Sequence, residues 1–167
     1  MQVRLWGAGL LAVAAMTAAA SSAQATELRF GPQGNYGLAL GDDAGDARLG
    51  VGGRMVADLS KRHKGVEGFA TFNYFFPEEV PGIDTTYWEL NANLVYNLHP
   101  KGDLRPYLGA GLNYAHAKAS ALGASVSDSD VGLNLLGGLK LNRNVFVEGR
   151  IELGGGKQLV LTAGYLF

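Results

Sequence analysis

Apolar and polar residues alternate with a period of two along most of this chain. Val145, Val147, Ile151 and Leu153 fall on one side of a segment whose other side holds Glu148, Arg150 and Glu152. A helix cannot keep charges at i, i+2 and i+4 on one face, whereas successive strand side chains point to opposite faces. The same split sets Leu133, Leu135, Leu139 and Leu141 against Asn134 and Lys140, and Leu108, Ala110, Leu112 and Tyr114 against Gly109, Gly111 and Asn113. Upstream, Trp88, Leu90, Ala92, Leu94, Tyr96 and Leu98 oppose Glu89, Asn91, Asn93 and Asn97. Val66, Ala70, Phe72, Tyr74 and Phe76 oppose Glu67, Thr71 and Asn73, and Leu49, Val51, Met55, Ala57 and Leu59 oppose Arg48, Arg54 and Asp58. At the C-terminus Leu159, Leu161, Ala163, Tyr165 and Phe167 share one face. The first strand is expected around Asn35 to Gly41, because Gly31, Pro32 and Gly34 interrupt what precedes it.

These segments make about eight strands, and no connection between them reads as a long helix. Several reach about ten residues, the length of a tilted membrane-spanning strand. A soluble sandwich or a lipocalin-type barrel also splits apolar from polar, with the apolar face inward. Two features favour the reverse. The polar face carries Arg48, Arg54, Asp58, Glu67, Glu89, Lys140, Glu148, Arg150 and Glu152, more charge than one soluble surface needs. The apolar face carries Tyr74, Phe76, Trp88, Tyr96 and Tyr114 near strand ends, where the aromatic girdles of membrane barrels sit.

The N-terminus adds a destination. Arg4 precedes an apolar run from Leu5 to Ala20, and Ser21-Ser22-Ala23-Gln24-Ala25 offers the small residues that a signal peptidase reads. A spanning helix needs about 20 apolar residues, and this run is shorter. Residues 1–25 are therefore expected to be a cleaved signal peptide and residues 26–167 the barrel domain. The 167 residues hold 14 Lys+Arg and 15 Asp+Glu, a net charge of −1 that gives no electrostatic reason to bind nucleic acid. The absence of cysteine excludes disulfides, thiolate metal sites and a cysteine nucleophile.

Two motifs give the pattern a family resemblance. Leu161-Thr162-Ala163-Gly164-Tyr165-Leu166-Phe167 resembles the C-terminal assembly signal of bacterial outer-membrane barrels, with Leu159, Leu161, Tyr165 and the terminal Phe167 as its elements. Arg105-Pro106-Tyr107-Leu108-Gly109-Ala110-Gly111-Leu112-Asn113-Tyr114 resembles the Pro-Tyr-x-Gly-x-Gly strand of small barrels of the OmpA, OmpX and opacity-protein kind. The expected fold is all-β: an eight-stranded antiparallel up-and-down transmembrane β-barrel behind a cleavable signal peptide. The resemblance implies a bacterial outer-membrane location and a monomer. It also implies contact with outer-membrane lipids, lipopolysaccharide and the barrel assembly machinery, and it calls for no cofactor.

In such barrels both termini are periplasmic, so the outward loops are expected at Asp42–Ala47, Pro77–Thr86, Ala119–Ser129 and Gly154–Gly156. These and their edges hold Asp42, Asp43, Asp46, Glu78, Glu79, Asp84, Asp128 and Asp130, eight of the fifteen acids. The inward turns Ser60–Gly65, His99–Arg105 and Asn142–Asn144 hold Lys61, Arg62, Lys64, Lys101, Arg105 and Arg143 against Asp103. An acidic rim can share divalent cations with lipopolysaccharide or repel anionic solutes, and it can equally be an ordinary solvated surface. The loops are short for an elaborate receptor surface.

Eight strands enclose a lumen that side chains can fill. Glu148, Arg150, Glu152 and Lys140, extended by Arg48, Arg54, Asp58, Glu67 and Glu89, are expected to form an interior ion-pair network, because buried charges must be paired. That network reads first as a structural core and second as a narrow path for ions or very small solutes. Catalysis needs a nucleophile beside a base. His116 and Ser120 form the one pair worth testing, and they lack the His-x-Ser pattern that lipid A deacylases show. The three histidines show no metal-ligand spacing. The reading is a non-enzymatic barrel with a structural, envelope-integrity or surface-interaction role, a lipid-modifying enzyme being the remote alternative. The 25 glycines, about twice average usage, include Gly50, Gly52, Gly109, Gly111, Gly132, Gly138 and Gly164 on the polar face, where they are expected to make room for long charged side chains.

Overall fold

In the computed structural model, residues 27–40, 47–61, 63–77, 81–98, 104–121, 124–154 and 157–167 are described. They form eight strands: β1 Leu28–Ala39, β2 Ala47–Asp58, β3 Val66–Phe76, β4 Asp84–Asn97, β5 Arg105–Ala121, β6 Ala124–Lys140, β7 Val145–Leu153 and β8 Gln158–Tyr165. Each pairs antiparallel with its neighbours in sequence, and β1 pairs β8 from Gln33↔Gly164 to Ala39↔Gln158, so the sheet closes on itself. Closure leaves no free edge through the span, which is what allows a sheet to sit in hydrocarbon.

The alternation fixes which face is which. Leu49, Val51, Phe72, Leu94, Leu108, Leu112, Leu133 and Leu135 stand exposed on the outside, while Glu89, Arg150 and Glu152 are 0% exposed within. A continuous apolar band of this extent would drive aggregation in water. Around a closed barrel it is the lipid-facing surface. Gly65 (φ 83°) sits in the β2–β3 turn in a conformation that favours glycine.

Two boundaries differ from the expectation. The first strand starts at Leu28, seven residues earlier than read from the sequence, and ends at Ala39. Pro32 lies one position beyond the β1–β8 ladder, where its missing N–H costs no ladder bond. Gly31 is needed there, since a Cβ would lie 1.6 Å from the Tyr165 carbonyl oxygen. The expected loop Ala119–Ser129 is mostly strand: β5 and β6 pair from Arg105↔Lys140 to Ala121↔Ala124. The expected signal peptide, the acids Asp42, Asp43, Asp46, Glu78, Glu79 and Asp103, and Arg62 and Lys101 lie outside the described residues.

Candidate functional site

The polar faces of all eight strands converge on one lumen. Arg54 on β2 reaches across it to Glu148 on β7, with Nη1 3.0 Å from Oε2 and Nη2 2.8 Å from Oε1. Its guanidinium carbon lies 4.1 Å from the ring centroids of both Phe69 and Phe146, which hold the planar group between two aromatic faces. Tyr107 donates its hydroxyl to Glu148 Oε2 at 2.9 Å, and Arg54 Nε donates to Gln33.

Arg150 forms a second centre. Its Nη2 donates to Glu89 Oε1 at 2.5 Å and its Nε to Glu152 Oε1 at 2.8 Å. Gln158 Nε2 bridges the outer oxygens of the same two carboxylates, at 3.1 Å from Glu89 and 2.6 Å from Glu152. Asn73 and Asn91 add donors to Glu89 at 2.8 and 3.0 Å. Asparagine and glutamine supply the rest of this layer: Gln33 and Asn35 both donate to Asn73, and Asn134 donates to Asn91 and Asn93.

At the end where β1 begins and β8 finishes, Lys140 pairs with Glu67, and Arg29 approaches the same carboxylate at 3.8 Å. Between this mouth and the centre lies an apolar cluster of Val56, Phe69, Val95, Tyr107, Leu136, Phe146 and Leu166. Towards the opposite end, Phe75, Tyr87 and Val160 form a second, with Ala115 against it. The charged layer is therefore flanked by oily layers on both sides. Such a lumen is filled, as expected for eight strands.

Arg54, Glu67, Glu89, Lys140, Glu148, Arg150 and Glu152 are brought together in this way. Two residues expected beside them take other places. Arg48 stacks over the Tyr87 ring at 5.3 Å, beyond the apolar layer, and Asp58 accepts from the Ser60 backbone N–H at 2.8 Å in the β2–β3 turn. The glycines do face inward, but asparagines and rings, not long cations, occupy the space they leave. A Cβ at Gly52 would lie 2.2 Å from Asn73 Oδ1, at Gly132 2.4 Å from Asn113 Oδ1, at Gly138 2.4 Å from the Tyr107 ring and at Gly164 2.4 Å from the Phe146 ring. The inward Phe75 ring is masked in the sequence by its neighbour Phe76, since a doublet of aromatics carries no period. Arg29 went unread with the first half of its strand.

On the outside, Tyr74 and Phe76 pair edge to face at 5.4 Å, and Trp88 packs on Phe72, Tyr114 and His116. Tyr96 is exposed near the other end, where Tyr165 and Phe167 pair at 5.5 Å. Phe167 N–H donates to the Phe30 carbonyl at 2.8 Å, and Leu166 tucks inward. His116 shares a face with Ser120, because β5 runs on to Ala121. Its hydrogen bond, however, is with Ser129 across the β5–β6 ladder, Nδ1 to Oγ 2.8 Å.

The barrel wall is uneven. The β6–β7 ladder starts at Leu133↔Leu153, so among the described residues Ala124–Ser129 have register partners on the β5 side alone. β6 thus runs on past β7, with Val126 75% exposed, while on the other side of the hairpin β4 accompanies β5 as far as Asp84↔Ser120.

Residues 8–151 match the family of the outer membrane protein beta-barrel domain. Among solved structures, Neisserial surface protein A is similar at a TM-score of 0.65 and 15% identity, covering 83% of this chain and 95% of its own. The N-terminal β-barrel domain of Pseudomonas aeruginosa OprF is similar at a TM-score of 0.58 and 17% identity, covering 83% and 97%. No curated protein sequence matches the chain.

Proposed function

Because the chain belongs to the outer membrane protein beta-barrel family and is a protein of the bacterial outer membrane, we propose that it is a non-enzymatic, non-conducting envelope barrel that meets partners outside the cell through its β5–β6 hairpin. The observation that carries this reading is that, among the described residues, Ala124–Ser129 have register partners on β5 alone. A row of unpaired backbone donors and acceptors is a template for an added strand. The hairpin's composition fits exposure: Ser125, Ser127 and Ser129 lie on one face and Asp128 on the other. A structural role for the rest is supported by a lumen packed with paired charge and rings.

The test has two arms. A deletion strain is expected to be more sensitive to detergents. Full-length protein and a variant shortened within Ser120–Ser125 should both restore resistance, while surface binding by whole cells should be restored by full-length protein alone. In planar bilayers the purified barrel is expected to show no steady conductance. A stable conductance that is lost on substituting Glu148 or Arg150 would favour the narrow-channel reading and end this one. Altered lipid A in the deletion strain, lost equally in His116→Ala, would establish a lipid-modifying enzyme instead.

A further inference from the structure

The end of the barrel where β1 begins and β8 finishes carries more positive charge than its own acids match. Among the described residues it holds Arg29, Lys61, Lys64, Arg105, Lys140 and Arg143 against Glu27, Asp58 and Glu67. Two of these acids are engaged: Asp58 accepts from the Ser60 N–H in its own turn, and Glu67 is held by Lys140, with Arg29 at 3.8 Å. Lys61, Lys64 and Arg143 are exposed and form no ion pair with any described residue. Arg29 Nη1 donates to the Arg143 carbonyl at 2.8 Å, so the Arg29 guanidinium lies against the Arg143 backbone. Arg105, the register partner of Lys140, has a buried Nε with no acceptor. Like charges gathered without counter-charge repel one another, so a partner that brings negative charge is favoured here.

A second observation places these cations at the edge of the bilayer. The lipid-facing surface at this end finishes in exposed Phe30, Tyr96, Tyr165 and Phe167, an aromatic belt of the kind that marks headgroup level. The β2–β3 turn sits against it: the Tyr96 ring lies 3.3 Å from where a Gly65 Cβ would stand, one residue from Lys64. So does the β6–β7 turn. The Asn144 carbonyl accepts from the Leu166 N–H at 2.7 Å and Asn144 Nδ2 donates to the Leu166 carbonyl at 2.6 Å, between the paired rings of Tyr165 and Phe167 in the chain. Asn142 Oδ1 accepts from the Asn144 and Val145 N–H groups at 2.8 Å each, which turns the chain at Arg143 and leaves that side chain exposed.

We propose that Lys61, Lys64 and Arg143 form a collar that binds anionic phospholipid headgroups, of the phosphatidylglycerol class, in the leaflet that meets this end. With both termini periplasmic, as in the barrels this chain resembles, that leaflet is the inner one of the outer membrane. Long cationic side chains beside an aromatic belt reach lipid phosphates while their stems stay against apolar surface. A zwitterionic headgroup brings its own ammonium and leaves the charge of the collar unmatched, whereas a net negative headgroup offsets it. The collar acts independently of whatever the β5–β6 hairpin meets at the other end.

Native mass spectrometry of the purified mature barrel, released from detergent with phosphatidylglycerol or phosphatidylcholine of matched chains, counts barrels that carry one lipid. Phosphatidylglycerol is expected to bind about fivefold better, the factor that one Lys or Arg at a membrane surface contributes. A higher concentration of volatile salt should shrink the preference. The triple variant Lys61→Gln, Lys64→Gln, Arg143→Gln changes exposed positions alone, so it should keep its gel mobility before and after boiling and bind the two lipids equally. Lys157→Gln, at an exposed lysine of the opposite end, should keep the preference. Equal binding of both lipids by the unsubstituted barrel overturns the collar, as does a preference that survives the triple variant or is lost in Lys157→Gln. Retention of the barrel by purified peptidoglycan, lost in the triple variant and without any lipid preference, overturns it too and assigns these cations to an anionic cell-wall polymer.

Discussion

Arg54 and Glu148 stand 94 residues apart in sequence and meet through two parallel hydrogen bonds of 3.0 and 2.8 Å, both side chains buried. The bond joins β2 to β7 across the lumen, so it ties together walls that share no ladder. Removing one partner leaves the other charged and unmatched in a dry interior, at a cost of about 3–5 kcal/mol. Glu148→Ala is therefore expected to lower stability by that order in urea or heat unfolding of the detergent-solubilised barrel. The double variant Arg54→Leu, Glu148→Leu should lose much less than the sum of the two single changes. Additive losses would show that the pair is not coupled.

The glycines divide into two classes that a single substitution separates. A Cβ at Gly111 would lie 2.1 Å from the Ala92 carbonyl oxygen and 2.3 Å from Asn93 Oδ1, so neither wall nor lumen has room for it. Gly111→Ala should destabilise by about 1–3 kcal/mol through overpacking. Gly34 faces outward with nothing within 4 Å. Gly34→Ala is expected to be neutral or to stabilise by up to about 1 kcal/mol, by restricting the unfolded chain. Equal midpoints for the two variants would refute this division.

The faces of the strands were legible because membrane barrels invert an ordinary alternation and charges such as Glu148, Arg150 and Glu152 mark the inward side without ambiguity. The partners were not legible. Arg54 finds Glu148, and not the nearer Asp58 or Glu67, because barrel closure decides which strands face each other across the lumen. The inward rings Phe75 and Tyr87 were hidden for a different reason: in Phe75-Phe76 and Tyr87-Trp88 both faces of the strand are aromatic. The outer part of β5 and β6, rich in Ala, Ser and Asp, has the composition of a turn, and pairing with its own hairpin partner overrides that bias. The same pairing sets His116 against Ser129, with which it bonds across the ladder.

The chain end makes a prediction about assembly. Phe167 is 73% exposed, packs on Tyr165 and is anchored by its N–H on the Phe30 carbonyl, whereas Leu166 is buried. An exposed terminal ring adds little to the folded core. Phe167→Ala should leave the unfolding midpoint of refolded protein within about 0.5 kcal/mol of the original, the usual span for a surface change. In cells the same variant should accumulate unassembled in the periplasm. The check is fractionation together with gel mobility before and after boiling. A matching loss of stability in vitro would assign Phe167 to the fold and not to recognition by the assembly machinery.

Maturation is the last point open to direct measurement. Leu28 is the first residue of β1, and Glu27 already takes part in the barrel end through its carbonyl, which accepts from Asp58 N–H at 3.0 Å. Cleavage after Ala25, as expected from the sequence, would leave only Thr26 ahead of Glu27. Intact mass of the protein from outer membranes is expected to correspond to residues 26–167. Ala25→Arg, which places a large charged residue where the peptidase needs a small one, should retain the longer form and keep it out of the outer membrane. A mature form beginning beyond Glu27 would remove that Asp58 contact and require a different start for the first strand.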